Sequence, residues 1–280
     1  MRKSFIAIAA IAAALSLASQ AAAFPNLVCT GAFSGATYHN VVVPTKATCT
    51  LSDTRVTGSV TVQAGGSFFV DQESTGKTTI AGSVTANQCG AVILESSGTT
   101  PGQIVIGGNL TITNCTSTVE GQFDGGQGDA YSTSSPFPAA VPPTLVIGGS
   151  VKCDNNNIEL GCQFDDAFIG GTFECSGNSG GCGLQAATIS GNANLTGNGI
   201  TEIENGSVGG SLDCANNSDC DVGLNAIGKG VTLTGNGPGG SDVGDNVIGG
   251  SLNCVGNTGG VGESTPNTIA GIAAGQCLGF

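Results

Sequence analysis

The chain contains no tryptophan, only two tyrosines and a single histidine among its 280 residues. Zinc sites of the common types use several His and Cys ligands at close spacing, so the lone His39 argues against such a site. Nucleophilic catalysis is also disfavoured, because His39 would have to serve as the base. We therefore expect neither a metal centre nor an organic cofactor.

Positive charge is scarce as well. Residues 24–280 contain five basic and twenty acidic side chains, a balance that repels nucleic acid and anionic lipid. An acidic surface also keeps exported proteins in solution, so the charge alone does not imply a cationic partner. We expect no nucleic-acid partner.

No apolar run reaches the length of about 20 residues that is needed to span a membrane. The longest candidate, from Phe5 to Leu17, follows Arg2 and Lys3 and gives way to small residues that end at Ala23. This order is typical of a secretory signal peptide. We expect cleavage after Ala23, leaving a protein that does not span the membrane and resides outside the cell, on its surface or in the periplasm.

A short pattern repeats along the chain. Its clearest copy, from Ile248 to Asn257, reads Ile-Gly-Gly-Ser-Leu-x-Cys-x-x-Asn, and copies recur every 19 to 26 residues apart from one interval of 41. Apolar residues alternate within each copy, as Leu212 and Cys214 do, and this period of two predicts strands. Such strands can stack on their own copies in parallel. The sequence predicts an all-β fold, a parallel β-helix or β-solenoid of about 20 residues per coil.

The predicted organisation has three parts: a signal peptide at 1–23, an N-terminal cap or first coil at 24–55, and the solenoid at 56–280. The interval of 41 equals two coils, so we expect one disguised coil between Ile112 and Cys153. The Gly-, Ser- and Pro-rich span of about 119–143 should be an inserted loop.

Six asparagines lie three residues beyond the Cys or Leu of their copy: Asn156, Asn178, Asn198, Asn217, Asn236 and Asn257. Stacked at the strand spacing of about 4.8 Å, their amides can hydrogen-bond from coil to coil as an asparagine ladder. Gly197, Gly235 and Gly256 precede three of them and permit positive φ at that bend.

Twelve cysteines in an exported chain predict multiple disulfides: Cys29, Cys49, Cys89, Cys115, Cys153, Cys162, Cys175, Cys182, Cys214, Cys220, Cys254 and Cys277. Coils with Cys at the repeat position also contain a second Cys before the next copy, which favours bridges within a coil, including Cys254 to Cys277. Cys89 and Cys115 fall at the asparagine column of successive coils and should bridge them, and Cys29 with Cys49 would close the N-terminal segment. A bridge from Cys153 to Cys175 between coils is the alternative.

Three further segments carry a family resemblance: Cys29-Thr30-Gly31, Val41-Val42-Val43-Pro44 and Gly275-Gln276-Cys277-Leu278-Gly279. With the repeats, they resemble exported right-handed parallel β-helix proteins of bacteria, and most closely an uncharacterised secreted family with Val-x-Gly-Asn-Val-x-Val repeats. The resemblance covers nearly all of the chain after Ala23. It implies a right-handed β-helix and export, and no particular activity. It departs at Ile272, where another asparagine is expected.

The repeats carry Asn, Ser, Thr and Gly without a convergent reactive cluster. Our leading hypothesis is therefore a non-catalytic secreted or cell-surface protein with a structural or adhesive role. The inserted loop contains Phe123, Tyr131 and Phe137, and exposed aromatics on a rigid scaffold commonly mark recognition. We expect these three residues to bind an extracellular glycan or a cell-surface component; the oligomeric state is left open.

The alternative is a polysaccharide lyase or hydrolase with an unrecognised site. Asp165 and Asp166 resemble the paired aspartates of polygalacturonases, but the rest of that family's pattern is missing. A pectate lyase needs an arginine base, and Arg55 is the only arginine after residue 23. We therefore favour a carboxylate pair at a turn, and keep calcium binding by the loop from Gly239 to Asp245 as a further alternative.

Overall fold

The computed structural model describes residues 24–72, 76–96, 102–116, 122–124, 144–157 and 161–280. Over these ranges the protein consists of strands and turns, with no helix. Strands of successive coils pair in parallel, and equivalent residues of the later coils are 19 to 22 positions apart. The prediction of an all-β parallel solenoid is confirmed.

The strands form three faces, numbered here in chain order within a coil. The first face is a sheet of twelve strands: Leu27–Val28, Val41–Val43, Val60–Val62, Val84–Asn87, Leu110–Thr113, Val151–Asp154, Phe173–Ser176, Ala193–Thr196, Leu212–Ala215, Val231–Thr234, Leu252–Val255 and Ala273–Gly275. The second face has an early sheet of four strands, Ala32–Ser34, Thr48–Ser52, Ser67–Gln72 and Val92–Ser96, and a later sheet of six, Gln122–Asp124, Cys162–Asp165, Cys182–Gln185, Ile200–Glu204, Asp219–Gly223 and Gly240–Gly244. The third face has eleven strands: Thr37–Tyr38, Arg55–Val56, Lys77–Ile80, Gln103–Ile106, Leu145–Ile147, Ala167–Ile169, Thr188–Ile189, Ser207–Val208, Ala226–Ile227, Val247–Ile248 and Thr268–Ile269.

The core lies inside the coils and is built by the period-two pattern. Leu212 and Cys214 are fully buried, whereas Asp213 between them points outward. Phe164 and Phe173 are among the largest fully buried side chains, and their ring centroids are 5.4 Å apart with the rings nearly perpendicular. Because each coil contributes only a few inward side chains, neighbouring coils must cover one another to exclude water.

One coil, rather than two, connects Ile112 to Cys153. These residues are direct partners on the first face, as Ile106 and Ile147 are on the third. The expectation of a disguised coil is wrong, because the additional residues lie between the strands of a single coil. Within the span 119–143, Gln122–Asp124 forms a strand of the second face, so the span is not loop throughout; its other residues lie outside the described ranges.

The six aligned asparagines lie at the first corner, between the first and second faces, and all are at least 95% buried. Asn217 illustrates their bonding. Its Oδ1 accepts the backbone N–H of Asn198 at 2.8 Å, and its Nδ2 donates to the Leu195 carbonyl at 3.0 Å and to Oδ1 of Asn236 at 3.3 Å. Each side chain therefore satisfies groups of two neighbouring coils at a bend where strand pairing stops.

A residue with positive φ precedes each of these asparagines. Gly197, Gly235 and Gly256 have φ of 68°, 65° and 70°, as predicted, and Asn155 and Asn216 adopt the same conformation. Asparagine tolerates this region better than most residues with a side chain. Either glycine or asparagine can therefore occupy the position before the buried asparagine without changing the bend.

The second corner, between the second and third faces, has a shorter asparagine column. Asn225 and Asn246 are buried, and Oδ1 of Asn246 accepts the backbone N–H of Asn225 at 3.0 Å. The column ends where Oε1 of Glu263 accepts the backbone N–H of Asn267 at 3.1 Å. This column was not predicted from the sequence, because it occupies only three successive coils.

At the third corner, Ser and Asn side chains take the same role. Oδ1 of Asn109 accepts the backbone N–H of Ser150 at 2.8 Å, and Oγ of Ser150 accepts that of Thr172 at 3.1 Å. The coils approach closely here: a Cβ added at Gly148 would lie 2.6 Å from the Gly107 carbonyl oxygen. This steric limit explains the Gly-Gly pair of the repeat.

All twelve cysteines form disulfides: Cys29–Cys49, Cys89–Cys115, Cys153–Cys162, Cys175–Cys182, Cys214–Cys220 and Cys254–Cys277. These are the favoured pairs, and the alternative of Cys153 with Cys175 is wrong. The expected position of the Cys254–Cys277 bridge within one coil is wrong. Cys277 follows Gly275, the strand partner of Cys254, so this bridge joins the last two coils and does not lie within one coil.

We predict that Asn217→Ala lowers the free energy of unfolding by about 2 to 4 kcal/mol, because the Asn198 N–H and the Leu195 carbonyl lose a buried partner. Denaturant titration measures the change. The matched control is Asn194→Ala, on the outward side of the first face, which should change stability by less than about 0.5 kcal/mol. Equal effects of the two variants would contradict the role assigned to the column.

The disulfides allow a second prediction, on loop length. Cys89 and Cys115 are 26 residues apart, whereas Cys175 and Cys182 are 7 apart. In the chain-entropy account, replacing the longer-range pair by alanines should cost about 1 kcal/mol more than replacing the shorter-range pair. Unfolding titrations of the two double variants test this, and an equal or reversed cost would show that the entropy of the unfolded chain does not set their contributions.

Candidate functional site

The three aromatic residues expected to bind a partner belong to the inserted span. Phe123 lies in the strand Gln122–Asp124, where its backbone is in register with Phe164. Tyr131 and Phe137 lie outside the described residues. Their role in binding therefore stays a prediction.

Asp165 and Asp166 lie where the second face turns into the third. Asp165 is the last residue of its strand, and Asp166 has a φ of 48°, with its backbone N–H donating to the Gln185 carbonyl at 3.0 Å. This is the geometry of a corner residue, as the turn interpretation expected. Arg55 lies on the third face four strands away from the strand that follows Asp166, which corresponds to roughly 19 Å along the axis.

A more concentrated set of carboxylates occurs on the second face. The segment from Gly239 to Asp245, expected as an alternative calcium-binding loop, contributes to it, but Gly240–Gly244 is a strand, so the expectation of a loop is wrong there. Glu202, Asp221 and Asp242 are direct partners on three successive strands; we call these three residues the carboxylate column. The sequence could have revealed the carboxylate column, because its three acidic residues recur at the spacing of the coils. In-register carboxylates on adjacent strands repel one another.

Hydrogen bonds run along the carboxylate column. Oδ1 of Asp221 accepts the backbone N–H of Asp242 at 2.9 Å, and Oδ1 of Asp242 accepts the backbone N–H of Ser264 at 3.0 Å. Asp221 and Asp242 thus bond to the backbone of the following coil, as Asn109 and Ser150 do at the third corner. This bonding offsets part of the repulsion between the charges.

Burial and charge change the acidity of this region. Partial burial, followed by the nearby charge of Asp219, raises the pKa of Asp221 to about 6; Asp242 and Glu202 add to the effect, and the hydrogen bond from the Asp242 backbone opposes it. Burial and the charge of Glu202 also raise the pKa of Glu204. Asp221 is therefore a group that gains or loses a proton in mildly acidic solution.

A depression of about 150 Å³ lies beside the column, lined in part by Glu204, Asp221, Asp242 and Asp245. Among the residues that the structure describes, no three His, Cys, Asp or Glu side chains converge closely enough to hold one metal ion. The arrangement of the carboxylates is linear rather than convergent. What it can do chemically is take up a proton and present negative charge.

The third face offers a different surface, a shallow apolar groove of about 510 Å³. The outward residues Thr188, Ser207, Ala226 and Val247 line it on four successive strands. Small side chains there and glycine at the adjoining corner leave the surface concave. The groove has few polar atoms with which to orient a polar ligand.

Comparison of the chain with protein-family models, with curated proteins and with solved structures finds no match. Over the described ranges, no helix has the length and apolarity required to cross a membrane.

The carboxylate column predicts a pH-dependent stability. Because the folded protein raises the pKa of Asp221 from 3.8 to about 6, folding favours its protonated form; that contribution is complete below pH 3.8 and is lost as the pH rises through about 6. Asp221→Asn keeps an acceptor for the Asp242 N–H and removes the charge. At pH 7.5 the variant should be more stable than the parent by about 1 kcal/mol, a value reduced for the solvent exposure of this side chain.

Unfolding titrations at pH 7.5 and pH 3.5 measure this effect, and the advantage of Asp221→Asn should disappear at the lower pH. Asp213→Asn is the control, because its strand partners on the first face are the uncharged Asn194 and Thr232. If Asp221→Asn gains nothing at pH 7.5, or Asp213→Asn gains as much, the column does not carry the repulsion assigned to it.

Proposed function

We propose that the protein is a non-catalytic secreted or cell-surface rod with a structural or adhesive role. The observation that carries the proposal is the continuous bonding along the axis. Side chains at all three corners bond from coil to coil, and six disulfides reinforce the coils. A chain fixed in this way resists local opening, and with it proteolysis.

The proposed location is outside the cytoplasm. The disulfides are consistent with an oxidising extracellular compartment, and the N-terminal sequence is that of a signal peptide, cleaved after Ala23. In this proposal the solenoid is right-handed, as in the bacterial family it resembles, and the first-corner asparagines act as a ladder that holds the coils in register.

The proposed adhesive contact is made by the inserted span. It enters a single coil that is fixed on both sides by paired strands, since Ile112 pairs with Cys153 and Ile106 with Ile147. An insertion anchored in this way can vary without changing the stacking of the coils. Its aromatic residues would contact an extracellular glycan or a cell-surface component.

One observation favours a second function, a polysaccharide lyase or hydrolase. Asp221 combines a pKa of about 6 with neighbouring carboxylates, and a general acid needs a pKa near the working pH. Incubation with acidic and neutral glycans, followed by detection of products, separates the two functions. Turnover that is lost in Asp221→Asn would establish the enzyme and overturn the non-catalytic proposal.

For the adhesive role we predict that the double variant Tyr131→Ala/Phe137→Ala folds normally and loses at least about tenfold in affinity for cells or glycans, since buried aromatic anchors dominate most interfaces. Phe69→Ala is the matched control: this outward residue of the second face lies on the scaffold and should leave binding unchanged. Binding is measured with labelled protein on intact cells and on glycan arrays. Unchanged binding by the double variant would remove the inserted span from the proposal.

A further inference from the structure

The first and last coils leave apolar side chains half-buried. These residues are Leu27, Phe33 and Tyr38 at the N-terminal end, and Val261, Ile269 and Phe280 at the C-terminal end. Their strand partners one coil inward are covered: Val41, the partner of Leu27, is fully buried, and Ile248, the partner of Ile269, is 1% exposed. Over the described residues between 24 and 280, each end of the solenoid therefore lacks the cover that a further coil would give.

Among the strands that the structure describes, none pairs with the outer edge of the first or the last coil. At the N-terminal end, the N–H groups of Leu27 and Cys29 donate to the second coil. The backbone groups of successive residues in a strand point to opposite sides. The N–H and C=O of Val28, which lies between Leu27 and Cys29, therefore point away from the second coil. At the other end, Thr268 and Ala270 donate to the preceding coil, so the groups of Ile269 face outward along the axis. Such edges are templates for pairing with another strand.

Charge is distributed unevenly along the axis. Residues 24–60 contain two basic side chains, Lys46 and Arg55, and one acidic side chain, Asp53, whereas residues 201–280 contain eight acidic side chains and one basic side chain, Lys229. The N-terminal end of one copy is therefore attracted to the C-terminal end of another. Two C-terminal ends repel each other.

We propose that copies of this chain stack head to tail, with the first coil of one copy adding to the last coil of the next. Only this orientation continues the parallel pairing of the first and third faces, covers apolar residues of both ends and brings opposite charge distributions together. A head-to-tail contact that repeats along the solenoid axis cannot close into a ring, so it generates filaments. The inference deepens the proposed structural role and rests on it.

The test uses protein exported by its own N-terminal segment, and compares Val28→Pro with Val28→Thr. Val28 is 66% exposed, so neither change disturbs the core, but proline removes the outward N–H whereas threonine keeps it. The parent and Val28→Thr should form concentration-dependent linear assemblies in analytical ultracentrifugation and electron microscopy. Val28→Pro should weaken association by at least about tenfold, with an unchanged circular dichroism spectrum and unfolding transition.

A mixing experiment fixes the direction. Val28→Pro retains an intact C-terminal end, so it should bind the open N-terminal end of parent filaments and shorten them. Parent filaments that keep their length in the mixture would show that an intact C-terminal end does not bind an open N-terminal end, and would overturn the proposal, as would filaments of Val28→Pro as long as those of the parent. A parent protein that stays monomeric up to its solubility limit also overturns stacking; retained binding to cells by that monomer would leave the proposed adhesive role intact.

Discussion

The structure depends on the hydrogen bond by which a corner side chain of one coil satisfies the backbone of its neighbour. Strand pairing serves the flat faces, but at a bend the N–H and C=O groups turn away from the ladder and would be buried without partners. The Asn217 side chain meets two such demands at once, from the Asn198 N–H and the Leu195 carbonyl, and it also bonds to the side-chain amides of Asn198 and Asn236. With the bends satisfied, coils of unequal length can still stack, and the inward residues of each coil can cover those of the next.

The same requirement is met by different residues along the chain. Cys115 and its bridge to Cys89 precede the first asparagine of the first corner, and Oδ1 of Asn156 accepts the Cys115 N–H at 2.9 Å. At the other end, Oε1 of Gln276 accepts the N–H of Asn257 at 2.8 Å, so the column ends on a longer amide side chain. Beyond the column, Cys277 bridges back to Cys254. Covalent and hydrogen-bonded contacts thus continue the stacking up to the last coil.

The fold could be predicted from sequence wherever a residue type recurs at the coil spacing beside an alternating strand. Asn217 stands three residues after Cys214, and the same spacing in five other coils made the first corner visible. No repeated Cys or Leu stands at a fixed distance before Asn225, so the asparagines of the second corner were not predicted. The interval before Cys153 was misread because length alone cannot distinguish an extra coil from an insertion; only the pairing of Ile112 with Cys153 decides it. The carboxylate column was not predicted because it contains both Glu and Asp, so no single residue type recurs in it, and its acidity depends on burial that the sequence does not reveal.

Amide hydrogen exchange at the corners tests this account most directly, because a bend without inter-coil bonds exchanges quickly even when the strands are stable. The backbone N–H groups of Asn178, Asn198 and Asn217 each donate to the asparagine of the following coil at 2.8 to 3.0 Å. The account predicts that these amides exchange as slowly as those of the first-face strands, by NMR on labelled protein. Exchange at the rate of exposed turns would contradict it.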